Sequence, residues 1–164
     1  FEMSEVLLIY PQIEILNRVF EWDALPKKHR NLHWESDLTE CDIGQYRIVP
    51  LVSSKQLREE GRIMDHCVGA YDDLCHRGLT RVFSVRDSIE RRIATVALIW
   101  QDGYWQLEQM KGPSNAEVIF DTVESYEYEF MSGSFELSEI YFVGQEILTQ
   151  YRTAWSERIE NHTG

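Results

Sequence analysis

The clearest pattern along the chain is a series of β-like segments between residues 80 and 111. Residues 80–86 alternate apolar and polar side chains, and residues 92–100 are rich in Ile, Val and Thr. Asp102 and Gly103 then give a tight-turn signal, and residues 104–111 form the returning strand. A further strand over residues 45–51 precedes them. The pattern predicts an antiparallel meander of three to four strands.

Helical periodicity flanks this predicted sheet. Ser53 and Gln56 have capping-box spacing, which predicts a helix that begins there and continues to about Cys67. A second helix is expected to end at Gly78. Other helical segments are predicted over residues 11–25, 32–38, 116–130 and 138–159. The fold class is therefore predicted to be α+β, a meander flanked by helices.

The domain organisation predicted from these elements is simple. Residues 1–45 are expected to form a helical N-terminal extension, and residues 46–164 an α+β domain, together one compact unit. The chain starts with Phe1 rather than Met, which indicates a fragment of a longer protein.

Charge and cysteine content narrow the function classes. The formal net charge of −12 repels a phosphate backbone at long range and argues against non-specific duplex binding. A local basic pocket for one phosphate group remains compatible with it. Three cysteines without a signal sequence indicate a reducing compartment, and no apolar run is long enough for a membrane span. We therefore expect a cytoplasmic protein without membrane contact.

Polar residues concentrate near the ends of the first and third meander strands. Alternation places Ser84 with Arg86 on one face of the first strand, and Thr95 with Ala97 on one face of the second. On the third strand it places Leu107, Gln109 and Lys111 on one face. If the second strand lies between the other two, Arg86 and Lys111 border a common site.

Several separate motifs, in order, resemble the PcfJ-like family. They are Leu57-x-x-Glu60-Gly61-x-x-Met64-x-His66-Cys67-Val68-Gly69-x-Tyr71-x-x-x-Cys75, Phe83-Ser84-Val85-Arg86, Ala94-Thr95-Val96 and Gln109-x-Lys111-Gly112-x-x-Asn115. The resemblance covers about residues 46–130. It implies an association with conjugative plasmids, other mobile elements and phage-related loci. The resemblance therefore implies a biological context and a set of candidate site positions, but it implies no particular reaction.

The candidate catalytic residues are His66, Arg86 and Lys111. An imidazole moves protons near neutral pH, and the two cations stabilise developing negative charge. The candidate substrate-binding residues are Cys67, Tyr71, Ser84, Thr95, Gln109, Gly112 and Asn115. His66 is equally compatible with a structural histidine, and Cys67 is expected to be a packed, inert thiol. No metal site and no cofactor are predicted, because paired ligand spacings and nucleotide fingerprints are missing.

Three hypotheses for function remain open from the sequence. In the first, the domain is a metal-independent enzyme that acts on nucleic acid or a nucleotide phosphate. In the second, it is a non-catalytic module that binds a ligand or a protein partner in a conjugation or phage-defence assembly. In the third, the polar set is a buried structural network, and its substitution lowers stability.

Overall fold

The structure, a computed structural model, describes residues 31–116 and 135–163. The helix predicted for residues 11–25 and all but the first residue of the helix predicted for residues 116–130 lie outside the described residues. The described elements follow one another in this order: β1 Cys41–Ile43, β2 Tyr46–Leu51, α1 Ser54–Met64, a 3-10 turn Val68–Tyr71, α2 Asp72–His76, β3 Thr80–Arg86, β4 Arg92–Gln101, β5 Tyr104–Lys111, a 3-10 turn Pro113–Asn115, and α3 Phe135–Thr163.

The five described strands form one antiparallel sheet in the order β1-β2-β3-β4-β5. The α+β class and the antiparallel meander are confirmed, but the predicted count of three to four strands is wrong. The missed strand is β1, whose three residues are too few to give a periodic signal. It pairs with β2 across a tight hairpin.

Each face of the sheet is covered by helix. On one face, α3 packs against the sheet through a core that includes the following residues: Ile48, Phe83, Val85, Val96, Leu98, Met110, Ile147 and Tyr151. On the other, α1, the first 3-10 turn and α2 pack through a second core that includes the following residues: Leu51, Leu57, Val68, Tyr71, Leu74, Cys75, Val82, Ala97 and Ile99. We call this second side the α1 face. Alternation of side chains along the strands supplies both cores.

The segment before β1 is extended rather than helical. His33 forms an isolated antiparallel bridge with Ser53, and the Trp34 indole Nε1 donates to the Leu51 carbonyl at 3.0 Å. The short helix predicted around residues 32–38 is therefore wrong. Long-range hydrogen bonds to the end of β2 override a weak helical pattern here.

Helix α1 begins as predicted, at a capped serine. Ser53 accepts a hydrogen bond of 3.1 Å from Gln56 N–H, and Gln56 Oε1 accepts one of 2.7 Å from Val52 N–H. The first bond satisfies a backbone donor that the helix start leaves open, and the second joins Gln56 to the residue before the cap. The helix ends at Met64, before the Cys67 end that we expected.

None of the described helices is both long and apolar enough to cross a membrane.

Candidate active site

A buried carboxylate, Glu60, lies at the centre of a polar cluster between α1 and the sheet. The side chain is fully buried on the inner side of α1. Its Oε1 accepts a hydrogen bond of 2.6 Å from Arg92 Nε, and its Oε2 accepts one of 2.6 Å from the Thr95 hydroxyl. A buried charge is tolerated only when it is paired and hydrogen-bonded. Arg92 and Thr95 together fix the position of this carboxylate.

The Thr95 hydroxyl connects Glu60 to His66. Thr95 Oγ1 lies 2.8 Å from His66 Nε2. Because the hydroxyl hydrogen is donated to Glu60, the Thr95 oxygen accepts the hydrogen on Nε2. On the other side of the ring, Nδ1 accepts a long hydrogen bond of 3.4 Å from Val68 N–H. These contacts favour the neutral imidazole that carries its proton on Nε2.

The electrostatic surroundings of His66 keep the ring neutral. Burial lowers the pKa of His66 below its ordinary value of 6.5, and the Glu60 carboxylate opposes that change. The Lys111 ammonium adds to the lowering. The net direction is downward, so the half-buried imidazole is unprotonated at pH 7 and is able to accept a proton.

The end of α1 places His66 over the sheet. Asp65 adopts a left-handed conformation, and both Asp65 N–H and His66 N–H donate to the Gly61 carbonyl, which gives the last turn a Schellman-type end. The chain reverses closely there: a Cβ on Gly61 would lie 2.8 Å from the His66 carbonyl oxygen. Only glycine fits this contact without a backbone shift.

Two β-bulges decide which side chains reach the α1 face. In β4, Val85 pairs with Ala94 and Arg86 with Arg92, so Ile93 is an extra residue. Without it, simple alternation from Thr95 would put Arg92 on the α3 side of the sheet. The bulge therefore brings Arg92 to the face where Glu60 lies.

The second bulge corrects a prediction. Ala97 pairs with Gln109 and Leu98 with Leu107, which leaves Glu108 as the extra residue in β5. Leu107 packs against the α3-side core, whereas Gln109 contacts Tyr71 on the α1 face. Leu107, Gln109 and Lys111 thus do not share a face, because the bulge shifts the alternation between residues 107 and 109.

The predicted cations lie on either side of Thr95. Lys111 and Ser84 are its direct cross-strand partners, on β5 and β3 respectively. Directly opposite residues have Cβ atoms about 5 Å apart. Arg86 is two residues farther along β3 and donates from Nε to the Ser84 hydroxyl at 3.2 Å. The structure therefore brings Ser84, Thr95 and Lys111 together beside His66, with Arg86 at the margin.

Tyr71 and Gln109 form a second, adjoining part of the cluster. Gln109 Nε2 donates to the Tyr71 hydroxyl, and Tyr71 is buried. Burial raises the pKa of Tyr71, so the phenol stays protonated at neutral pH. Nearby, burial raises the pKa of Glu108 to about 7, and its buried Oε2 has no hydrogen-bond partner among the described residues. Because it donates to Tyr71, the Gln109 side chain is already engaged in a hydrogen bond within the protein.

Cys67 and Gly112 differ from their predicted roles. Cys67 is exposed, so the prediction of a packed, inert thiol is wrong. The reason is that α1 ends at Met64, before it reaches Cys67. Cys75 is the buried thiol of this region. Gly112 is buried, and its N–H donates to the Ala116 carbonyl at 2.8 Å rather than pointing to an open site.

The turn after β5 contacts the turn after α1. The Ser114 hydroxyl donates to Asp65 Oδ2 at 3.2 Å, and both residues have left-handed backbone conformations. The backbone of Asn115 completes the 3-10 turn that follows β5. Its side chain lies outside the described part of the structure, so its predicted role in substrate binding stays a prediction.

Sequence reasoning did not select Glu60 and Arg92 as site residues. Glu60 belongs to the motif around His66, six residues before it, but helical spacing does not show that it contacts a strand. Arg92 is one of two adjacent arginines, and only the bulge at Ile93 distinguishes it from exposed Arg91. A buried acid at the inner face of an amphipathic helix is the available signal.

Over residues 31–116 and 135–163, no group of three or more His, Cys, Asp or Glu side chains is arranged to hold a metal ion.

These features define an α+β domain in which an imidazole, a buried acid and basic side chains converge between a helix and an antiparallel meander. The chain belongs to the PcfJ-like family: the model described as PcfJ-like protein matches residues 21–127. The match begins earlier than the stretch 46–130 over which the motifs resemble that family. Comparisons with curated proteins and with solved structures found no match.

Proposed function

We propose that this domain is a metal-independent enzyme that acts on a phosphate-containing substrate, either a nucleic acid or a nucleotide. One observation carries the proposal: an uninterrupted series of hydrogen bonds extends from Arg92 through Glu60 and Thr95 to His66. An acid that orients a histidine through an intervening group is the arrangement that makes an imidazole an effective base.

In the proposed reaction, His66 accepts the proton at Nδ1. That nitrogen carries the lone pair in the favoured tautomer, and its contact with Val68 N–H, at 3.4 Å, is too long to be strong. The proton comes from a substrate hydroxyl or a water molecule. The resulting imidazolium is stabilised by the buried Glu60 charge, which acts through Thr95.

Lys111 and Arg86 would stabilise negative charge on the phosphoryl group. Lys111 is the cross-strand partner of Thr95, whose hydroxyl contacts His66, and the Lys111 charge lowers the pKa of His66. Arg86 lies beyond Ser84 on the same face. A preorganised donor of this kind contributes about 3 kcal/mol in a transition state. Ser84, Tyr71 and Gln109 are packed behind these groups, where they would support the site rather than contact the substrate.

The biological setting in the proposal follows from the family. A PcfJ-like domain fits a conjugative element or a phage-defence system, in which it acts in the cytoplasm and contacts a protein partner. The alternative to an enzyme is a non-catalytic binding module. One observation favours a third possibility, a structural network: Glu60, Ser84 and Thr95 are almost completely buried. Buried polar residues that satisfy one another rigidify a core.

The test measures turnover with His66→Gln, which keeps an N–H donor for Thr95 but removes the titratable ring. Wild type and variant are incubated in EDTA with labelled single-stranded and duplex nucleic acid and with nucleoside triphosphates. We expect wild-type turnover to fall by a factor of ~100 or more in the variant. Its melting temperature and substrate affinity should remain close to wild type.

The matched control is Arg77→Gln, at the opposite end of the α1 face, and Lys111→Gln is a second site variant. Arg77 is half-exposed and paired with Asp73, so its loss should leave turnover unchanged. Wild type that turns over none of these substrates, or His66→Gln with wild-type turnover, would contradict the proposal. Altered binding without any turnover would support the non-catalytic module instead.

A further inference from the structure

Three arginines lie opposite one another across neighbouring strands. Arg47 of β2 is the partner of Arg86 in β3, and Arg86 is the partner of Arg92 in β4. Asp42 of β1 extends the same row beyond Arg47. Like charges placed directly opposite each other in a sheet are destabilising. A row of this kind in an acidic chain therefore suggests a role other than stability.

All three arginines project from the α1 face. Residues an even number of positions apart on a strand share a face, so Arg47 lies on the same face as Leu51, and Arg86 on the same face as Val82. Both of these apolar residues belong to the core beneath α1. The bulge at Ile93 brings Arg92 to the same face. The row is thus on the side of the sheet that carries His66.

The three arginines are neutralised very differently. Arg92 is bound tightly by the buried Glu60 at 2.6 Å. Arg47 and Arg86 instead share one carboxylate, because Glu90 Oε1 is 3.7 Å from Arg47 and Glu90 Oε2 is 3.8 Å from Arg86. Arg47 has a further contact of 3.8 Å with Asp42. These distances exceed those of ordinary charge-assisted hydrogen bonds.

Glu90 is held at this position by the turn between β3 and β4. Its backbone is left-handed, and its N–H donates to the Asp87 carbonyl. Asp87 also accepts from the N–H groups of Ile89 and Arg91, which fixes the turn. The Glu90 side chain is 59% exposed, so a competing anion can reach the space between the two guanidinium groups.

We infer that Arg47 and Arg86 form a binding site for a phosphate group of the ligand, and that the Glu90 carboxylate is the internal anion that this phosphate displaces. The assignment of the ligand as nucleic acid or nucleotide rests on the proposed function. Arg86 is two residues along β3 from Ser84, a separation of about 7 Å. The site therefore adjoins the His66 cluster and would hold a neighbouring phosphate, so that Arg86 lies between this phosphate and the reacting phosphoryl group.

The test compares Arg47→Gln and Glu90→Gln in fluorescence anisotropy with a short labelled single strand and, separately, with a nucleoside triphosphate. We expect Arg47→Gln to weaken strand binding about fivefold and to reduce the slope of log K against log salt by about 0.7. Glu90→Gln should tighten binding about threefold, because the internal competitor is gone. An effect on both ligands would indicate a site for any phosphate, and an effect on the strand alone a backbone site.

Arg77→Gln and Glu157→Gln remove comparable exposed charges elsewhere and should bind like wild type. Wild-type affinity in both Arg47→Gln and Glu90→Gln, or weaker binding in Glu90→Gln, would overturn the inference. If Arg47→Gln fails to fold, Glu90→Gln decides. His66→Gln tests turnover without involving this site, so the two proposals fail independently.

Discussion

Glu60 illustrates how a single buried residue organises this site. Both of its oxygens are occupied, by Arg92 and by Thr95, and none of its side-chain surface reaches solvent. Removing one partner of a buried ion pair usually lowers the free energy of unfolding by about 3–5 kcal/mol. The same contacts that orient His66 therefore also stabilise the packing of α1 against β4.

Glu108 is a partly buried acid whose charge opposes folding at neutral pH. Burial raises its pKa to about 7 from 4.5. Between these two values the native state binds more protons than the unfolded state, so stability falls as pH rises through that range. At pH 8 we expect Glu108→Gln to raise the free energy of unfolding by up to about 3 kcal/mol, and at pH 4 to change it little. Urea unfolding at both pH values measures this.

Glu157→Gln is the control for that experiment, since this carboxylate is exposed on α3. Its effect on the free energy of unfolding should be small and independent of pH. A gain for Glu108→Gln that is equal at both pH values would show that ionisation of Glu108 is not the cause.

At the residue scale, the sequence identified some of the cluster and missed its centre. His66, Ser84, Thr95 and Lys111 do meet, because strand pairing brings together residues from separate motifs. Glu60 and Arg92 form an ion pair of 2.6 Å in the cluster. The sequence signals Glu60 only by its position on the inner face of an amphipathic helix, and it does not signal the bulge that turns Arg92 towards Glu60.

The two bulges in β4 and β5 are the elements that build the α1 face. Each inserts one extra residue, so the side chains beyond the bulge lie on the opposite face from the one that simple alternation predicts. The predicted bounds of β3 and β5 agree with the structure, and those of β2 and β4 differ by one residue. Which face Leu107 occupies was nevertheless predicted wrongly. Periodicity locates a strand, but an inserted residue depends on contacts with other elements.

The end of α1 offers a prediction about packing. Gly61→Ala should gain up to about 1 kcal/mol in helix propensity. That gain is outweighed, because the added methyl group would meet the His66 carbonyl oxygen at 2.8 Å. Forced backbone shifts of this kind typically cost about 1–3 kcal/mol. We therefore expect a lower melting temperature and, under the proposed function, a loss of turnover.

Glu59→Ala, at an exposed position in the same helix, is the matched control. It should keep or raise the melting temperature. Gly61→Ala that is at least as stable as wild type would show that the chain relaxes around the methyl group without displacing His66.

At the scale of the whole molecule, the acidic charge and the local basic row act in opposite directions. The net charge is −12, yet Arg47, Arg86, Arg92 and Lys111 all lie on one face near one end of the sheet. Long-range repulsion is screened beyond about 8 Å at physiological ionic strength. A small anion therefore meets mainly the basic row, whereas a long polyanion also meets the acidic remainder.

This balance predicts a dependence on ligand length. At low ionic strength, a long duplex should bind more weakly than a short single strand, and added salt should reduce the difference because it screens the repulsion. Titrations of both ligands at two salt concentrations by anisotropy measure it. Tighter binding of the duplex at low salt would mean that a basic surface larger than this row is present.

The meander also determines the order in which the molecule is able to form. Each described strand after β1 pairs with the one that precedes it along the chain, so each new strand finds its partner already made during synthesis. Helix α3 is translated after all five strands, although it supplies Ile147 and Tyr151 to the core that contains Phe83. The core on that side of the sheet therefore lacks the side chains that α3 contributes until this helix has been synthesised.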